Sequence, residues 1–154
     1  MEAFARLRDR SDVRLIAFDG VDATALPSFV EPFSRVSARR PLDITEFYDL
    51  CDVFVFPSRV EGFGLPPLEA MACGAATVVS DCGGVREYAR DGQNCLLVPP
   101  GNAEAMASAV RRLVDEPALR AALAQAGRET AVRFPADRFA ADCADEIQRL
   151  VHAP

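Results

Sequence analysis

Lysine is absent from this sequence, and all 17 basic residues are arginine. The absence excludes P-loop nucleotide binding, Schiff-base catalysis and the phosphate-binding lysine of protein kinases. The one histidine, His152, lies next to the C-terminus, so a Ser-His-Asp or Cys-His arrangement lacks a suitable base. The five cysteines contain no Cys-x-x-Cys pair, which argues against zinc and predicts reduced, mostly buried thiols.

Long apolar runs are also absent, and the longest have four or five residues, such as Val53–Phe56. A transmembrane helix cannot form from runs of that length. The N-terminus lacks the apolar stretch of a signal peptide, so we expect a cytoplasmic protein. The net charge of −6 predicts that nucleic acid is not a partner, because the phosphate backbone attracts basic surfaces.

The pattern that is present is that of a single α/β domain over residues 1–154. Short β-branched or aromatic runs alternate with helical patterns, and the period is purely helical after residue 101. Strands are predicted at 13–18, near Val36, and at Val53–Phe56, Ala76–Ser80 and Leu96–Val98. Helices are predicted at 42–50, 66–73, 83–90, 103–114, 117–127 and 136–151. Tyr48 shares one side of the first helix with Phe47, Asn102 is expected to cap the helix at 103–114, and Ala122 is expected to face inward on the helix at 117–127. This order predicts a Rossmann-like parallel sheet with helices on both faces.

One loop carries most of the chemical information, because it joins the end of the strand Val53–Phe56 to the helix predicted at 66–73. In open α/β sheets, ligands bind outside such strand ends. Helix N-termini favour phosphate, and glycines let backbone amides approach a ligand closely. Pro66 and Pro67 have no N–H, so the predicted donors are the amides of Gly62, Phe63, Gly64 and Leu65.

Two carboxylates flank this loop, Glu61 before it and Glu69 within the following helix. Side chains on a helix lean towards its N-terminus, so Glu69 is expected to reach back to the crevice. A carboxylate can accept two hydrogen bonds from a vicinal diol, as in ribose or a hexose. Amides for a diphosphate, placed between two diol-binding carboxylates, suit a nucleotide-sugar.

The whole string from Pro57 to Gly74 resembles the signature of the retaining GT-B glycosyltransferases of the group 1 family. Seven residues separate Glu61 from Glu69, with Gly-Phe-Gly-Leu-Pro between them and Ala-Met-Ala-Cys-Gly after Glu69. The stretches 48–58 and 77–84 resemble the neighbouring strands of that family. The likeness extends from about residue 43 to residue 130.

The resemblance implies a role for each site residue. Glu61 is the catalytic-site residue that binds sugar hydroxyls, and Glu69 binds the ribose hydroxyls of the nucleotide. The amides of Gly62, Phe63, Gly64 and Leu65 hold the diphosphate and part of the sugar. The donor substrate is a nucleotide-diphosphate sugar, and neither a metal nor another cofactor is implied, since GT-B enzymes stabilise the leaving diphosphate with cationic side chains and helix dipoles.

The family also has parts that this sequence does not match. These are an earlier strand and loop, whose Arg and Lys grip the diphosphate, and an N-terminal domain that binds the sugar or lipid-linked acceptor. We therefore expect a partial nucleotide-sugar-binding domain that transfers no hexosyl group by itself. The alternative is a non-catalytic remnant or interaction module, which binds nucleotide-sugar weakly or not at all.

In related domains that earlier strand lies between the strands predicted at 13–18 and 53–56. Here these two strands are expected either to pair directly or to present facing rows of unpaired N–H and C=O groups, which favours self-association or a partner strand. Among residues near the loop, Arg59 and Arg86 are interpreted as surface ion pairs. Cys73 and Cys82 are interpreted as core residues rather than nucleophiles.

Overall fold

The computed structural model describes residues 2–18, 27–33, 36–37, 40–41 and 44–135, together with 141, 144–145, 147–149 and 151. The predicted helix at 136–151 therefore lies largely outside the described residues. The described elements, in chain order, are α1 Glu2–Ala5, β1 Leu15–Phe18, β2 Val30–Phe33, β3 Val36–Ser37, β4 Arg40–Pro41, α2 Ile44–Asp49, β5 Val53–Phe56, α3 Leu65–Cys73, β6 Ala76–Ser80, a 3₁₀ helix Gly83–Glu87, β7 Leu96–Val98, α4 Ala103–Asp115 and α5 Pro117–Ala131.

Five of the seven described strands form parallel pairs, as the alternation of strands and helices predicts. β5, β6 and β7 pair in that order, and both pairs are parallel. β1 pairs in parallel with β2, which the sequence analysis missed, and β3 and β4 form a small antiparallel pair. Strands predicted at Val53–Phe56, Ala76–Ser80 and Leu96–Val98 are confirmed with the same bounds.

β1 and β5 do not pair with each other in the described part of the chain, so the first of the two expected arrangements, direct pairing, is not observed. A cavity of about 970 Å³ separates them, lined by both strands. The arrangement changes the burial of β5. Its four residues are only half-buried, whereas all five residues of β6, which has a neighbour on each side, are fully buried.

Local signals explain the start of α4 and both ends of α3. The side chain of Asn102 accepts a hydrogen bond from the amide of Ala105 at 2.9 Å, which caps α4 as predicted. α3 begins with prolines in its first turn and ends at Gly74, whose φ of 90° is typical of a helix C-terminus. The described helices include none that is both long and apolar enough for a membrane span.

Two predictions about α5 are wrong. The helix does not end at Gly127 but continues to Ala131. Gly127 is buried against α3, and a β-carbon there would lie 3.0 Å from Cγ of Met71, so this glycine serves close helix packing rather than termination. Ala122, expected to face inward, is exposed, while Leu123 on the same helix is buried.

The segment after β6 contacts the backbone of the loop that follows β5. The amide of Gly84 donates a hydrogen bond to the carbonyl oxygen of Glu61 at 3.1 Å. A β-carbon built on Gly84 would overlap the carbonyl oxygen of Gly62. Glycine is therefore required at position 84 by the close approach of two backbone segments, and this contact fixes the path of the loop.

We predict that Gly84→Ala destabilises the chain, because the added methyl group must displace the loop backbone. The cost should be roughly 1–3 kcal/mol, the scale of overpacking in a well-packed interior. Gly62→Ala is the matched control, since a β-carbon at Gly62 meets no atom within 4 Å. Its effect should stay within about 0.5 kcal/mol in urea unfolding. Equal stability of the two variants would contradict the close contact.

Candidate functional site

The candidate site is the loop between β5 and α3, at the C-terminal end of β5. Gly64 is the residue before α3 and has a left-handed conformation, with φ of 79°. Within the described residues, none of the amides of Gly62, Phe63, Gly64 and Leu65 donates a hydrogen bond to another protein group. The predicted donors are thus available at the N-terminus of α3, where the helix dipole also favours an anion.

Glu61 lies at the start of this loop and is half-buried. The hydroxyl of Ser58 donates a hydrogen bond to Oε1 of Glu61 at 2.7 Å. This bond orients one carboxylate oxygen, and the amide of Gly84 holds the backbone of the same residue. The other oxygen, Oε2, has no hydrogen-bond donor among the described residues. Glu61 is therefore held by its main chain and its side chain, with acceptor capacity remaining for a ligand.

Glu69 lies on α3 and is exposed. The hydroxyl of Tyr48, on α2, donates a hydrogen bond to Oε2 of Glu69 at 2.7 Å. Tyr48 is buried and packs edge-on against Phe47 and Phe54. Burial, and then the bond to Glu69, raise the pKa of Tyr48 well above its ordinary value, so its hydroxyl remains a donor at neutral pH. The partner of Glu69 is thus fixed by the aromatic packing of α2.

The loop is also anchored by a second tyrosine. Tyr88 is buried and its hydroxyl donates a hydrogen bond to the carbonyl oxygen of Gly64. The ring of Phe63 lies with its centroid 5.4 Å from that of Tyr88 and 6.0 Å from that of Phe134. The Phe63 side chain therefore packs into an aromatic cluster, and only its backbone is available to a ligand.

Sequence reasoning missed the roles of Tyr48 and Tyr88. Tyr48 was assigned only to one side of the predicted helix at 42–50, and its contact with Glu69 spans 21 residues. Tyr88 lies 24 residues beyond Gly64. No local spacing predicts such contacts. The nearest signal is the chemistry of tyrosine, since a buried hydroxyl requires a hydrogen-bond partner.

Of the charged and thiol groups near the loop, Arg86 and Cys82 agree with a structural interpretation. Arg59 forms no ion pair with the described residues, and Cys73 is only half-buried. Arg86 forms two hydrogen bonds with Asp81, at 2.6 and 2.9 Å, so its predicted ion pair is confirmed. Cys82 is buried, and burial followed by the nearby charge of Glu61 raises the pKa of its thiol, as expected of a core residue. Across the residues described, His, Cys, Asp and Glu side chains do not gather in threes as a metal site requires.

The sequence matches known glycosyltransferases. The family model for glycosyl transferases group 1 matches residues 1–130. The D-inositol 3-phosphate glycosyltransferase of Streptomyces bingchenggensis is 36% identical over 103 residues, which are 67% of this chain and 23% of that protein. The chain thus spans about a quarter of the length of this curated relative.

Solved structures match the fold over most of the chain. Sucrose-phosphate synthase from Thermosynechococcus elongatus has a TM-score of 0.81 and 26% identity, over 99% of this chain and 42% of the synthase. HepE of Anabaena, solved in complex with UDP, has a TM-score of 0.65 and 25% identity, over 77% of this chain and 32% of HepE. The chain therefore has the α/β architecture of the GT-B enzymes, and it belongs to the glycosyl transferases group 1 family.

Proposed function

We propose that this chain is the donor-binding domain of a retaining glycosyltransferase, which transfers a hexosyl group from a nucleotide-diphosphate sugar to an acceptor hydroxyl. The observation that carries the proposal is the loop between β5 and α3. Its four amides have no protein partner in the described structure, and a carboxylate with a hydroxyl donor of its own lies on each side. These amides can donate hydrogen bonds to a diphosphate, and the two carboxylates beside them can accept hydrogen bonds from a hydroxyl-rich group at each end of it.

The relatives support the same ligand class. HepE of Anabaena, at 25% identity, is described in complex with UDP. A nucleoside diphosphate presents two phosphates and a ribose diol, which are the groups that these amides and Glu69 are suited to bind. The proposed assignment gives the sugar hydroxyls to Glu61, and the ribose hydroxyls to Glu69.

In the proposed reaction the chain acts mainly by binding and orientation. The amides from Gly62 to Leu65, with the dipole of α3, stabilise the negative charge that grows on the leaving diphosphate when the bond to the sugar breaks. Glu61 holds the sugar at a fixed angle to that leaving group. In this scheme the amides and the helix dipole supply part of the positive electrostatic potential, and the cationic side chains that the resemblance places in an earlier loop supply the rest, so no metal ion is needed.

The two glutamates should respond differently to substitution. Calorimetric titration with UDP-, GDP- and ADP-glucose first identifies the nucleotide base that the chain binds. With that base, Glu69→Ala should weaken the binding of both the free nucleoside diphosphate and its sugar conjugate. The loss should be roughly 1–3 kcal/mol, the scale of hydrogen bonds to a charged group. Glu61→Ala should weaken the binding of the sugar conjugate by a similar amount, and it should leave the affinity for the free nucleoside diphosphate nearly unchanged.

Glu116→Ala is the matched control for these titrations, because it also removes one exposed carboxylate but lies at the junction of α4 and α5. It should leave both affinities unchanged. Equal effects of the two site variants on the free nucleoside diphosphate would contradict the assigned roles. If no nucleotide binds at all, the non-catalytic alternative is the correct one.

Tyr48 should contribute to nucleotide binding only through Glu69. We expect Tyr48→Phe to weaken the binding of the nucleoside diphosphate by about 0.5–1.5 kcal/mol, because the Glu69 carboxylate loses the hydrogen bond that orients it. In a Glu69→Ala background the same substitution should have almost no effect. The measurement is a double-mutant cycle by calorimetry. Equal losses in both backgrounds would mean that Tyr48 acts through general packing instead.

We further expect these 154 residues alone to bind the donor without transferring its sugar. The described loop offers amides as diphosphate ligands, while the guanidinium of Arg86 is already bound by Asp81. Stabilisation of the leaving group is usually the largest catalytic contribution, so amides alone should not suffice. The purified chain, a radiolabelled donor and simple sugar or lipid-linked acceptors provide the assay. Transfer well above background would contradict this expectation.

A further inference from the structure

A second cavity, of about 390 Å³, lies between the end of the 3₁₀ helix and the C-terminal half of α5. It shares no lining residue with the loop between β5 and α3. Two acidic and two basic side chains line it among the described residues, and all four are exposed: Glu87, Arg90, Glu129 and Arg133. The lining is therefore polar, and neither sign of charge is in excess.

Three lining side chains have no partner in the part of the chain that the structure describes. They are the carboxylate of Glu87, the carboxamide of Gln93 and the guanidinium of Arg133. Glu87 and Arg133 carry opposite charges and line the same cavity, yet they form no ion pair with each other. Each of the three groups is planar and can make more than one hydrogen bond. All three are thus available to a ligand.

The other two charged side chains are held by neutral groups and keep their charge. The guanidinium of Arg90 donates to main-chain carbonyl oxygens, among them that of Ala89 at 2.8 Å. Oε1 of Glu129 accepts a hydrogen bond from Nε2 of Gln125 at 2.9 Å. A ligand with a net charge of either sign would be repelled by two of the four charged side chains. The lining therefore favours a neutral ligand.

The base of the cavity is fixed by Asn94, which is buried. Its Oδ1 accepts a hydrogen bond from the amide of Arg90 at 2.7 Å. Its Nδ2 donates to the carbonyl oxygen of Tyr88 at 2.8 Å and to the hydroxyl oxygen of Thr130 at 2.9 Å. One side chain thus joins the segment after the 3₁₀ helix to α5. The two walls are held in place without a ligand, which lowers the entropic cost of binding.

An aromatic ring lies beside these polar groups. Phe134 lines the cavity and is 38% exposed, and its ring centroid lies 6.1 Å from that of the buried Tyr88. The ring is therefore fixed on one side by packing and supplies an apolar surface to the cavity. Small-molecule sites typically combine such a surface with a few placed polar groups, in a volume of roughly 300–1,000 Å³.

We propose that this cavity binds a neutral saccharide, through one hexose unit, at a site separate from the proposed donor site. A hydroxyl group both donates and accepts hydrogen bonds. Neighbouring hydroxyls of one sugar can therefore donate to Glu87 and accept from Gln93 and Arg133 at the same time. The C–H face of the same sugar ring packs on Phe134. A ligand that only donates or only accepts hydrogen bonds would leave part of the lining without a partner.

A nuclear magnetic resonance titration of the ¹⁵N-labelled chain with D-glucose, D-mannose and D-galactose tests the proposal. At least one hexose should shift the amides of Gln93, Asn94, Arg133 and Phe134, with a Kd of about 1–10 mM, as expected of an open site with few contacts. L-Alanine, a zwitterion, and inorganic phosphate, an anion, are the control ligands and should leave these amides unchanged. No shift from any hexose at about 100 mM, or binding of either control ligand at these residues, would overturn the proposal.

Substitutions separate this site from the donor loop. Gln93→Ala and Arg133→Ala should each raise the Kd for the hexose about 3- to 10-fold, because each removes hydrogen-bond donors, and should leave the affinity for UDP-glucose unchanged. Glu61→Ala should leave the hexose shifts in the cavity unchanged, so this proposal and the donor site fail separately. Arg112→Ala is the matched control, since it removes an exposed arginine outside the cavity. Unchanged hexose affinity in both cavity variants would also overturn the proposal.

Discussion

The contact between the backbone at Gly83–Gly84 and the loop after β5 is the constraint on which the candidate site depends. A loop without regular structure has many conformations, and ordering each residue costs roughly 1–2 kcal/mol of backbone entropy. Here two hydrogen bonds hold that loop. The amide of Gly84 donates to the carbonyl oxygen of Glu61, and the hydroxyl of Tyr88 donates to the carbonyl oxygen of Gly64. The amides that have no protein partner are therefore fixed in direction by the segment that follows β6.

The two carboxylates are held by partners from different elements. Ser58 belongs to the same loop as Glu61, whereas Tyr48 reaches Glu69 from the helix before β5. In both cases a neutral hydroxyl orients the acid and leaves its negative charge in place. A group that is already oriented loses less conformational entropy when a ligand binds. The site is thus built by packing between layers, and its geometry depends on the stability of those layers.

Sequence reasoning succeeded where the signal is local. β6 is identified by its run of β-branched residues, α4 by Asn102, and α3 by its proline start and terminal glycine. The loop residues were identified by glycine and carboxylate spacing, and the structure places them at the end of β5 as expected. Their binding roles stay predictions, because they depend on a ligand.

Features that depend on contacts between distant elements were predicted less well from the sequence. Glycine is typical of a helix end, but Gly127 is instead required by its close packing against Met71 on another helix. β5 is apolar on both faces, yet it is half-buried because of the cavity beside it. β2 was missed, since a four-residue strand that contains Pro32 carries almost no local strand signal. Pairing with β1 stabilises it instead.

The most direct test of the central claim is a nuclear magnetic resonance titration of the ¹⁵N-labelled chain with UDP-glucose, followed amide by amide. If the loop after β5 binds the diphosphate, the amides of Gly62, Phe63, Gly64 and Leu65 should show the largest shifts, and all four should saturate with one Kd. Shifts that are absent from these four amides, or that are centred on another surface at saturating ligand, would contradict the account.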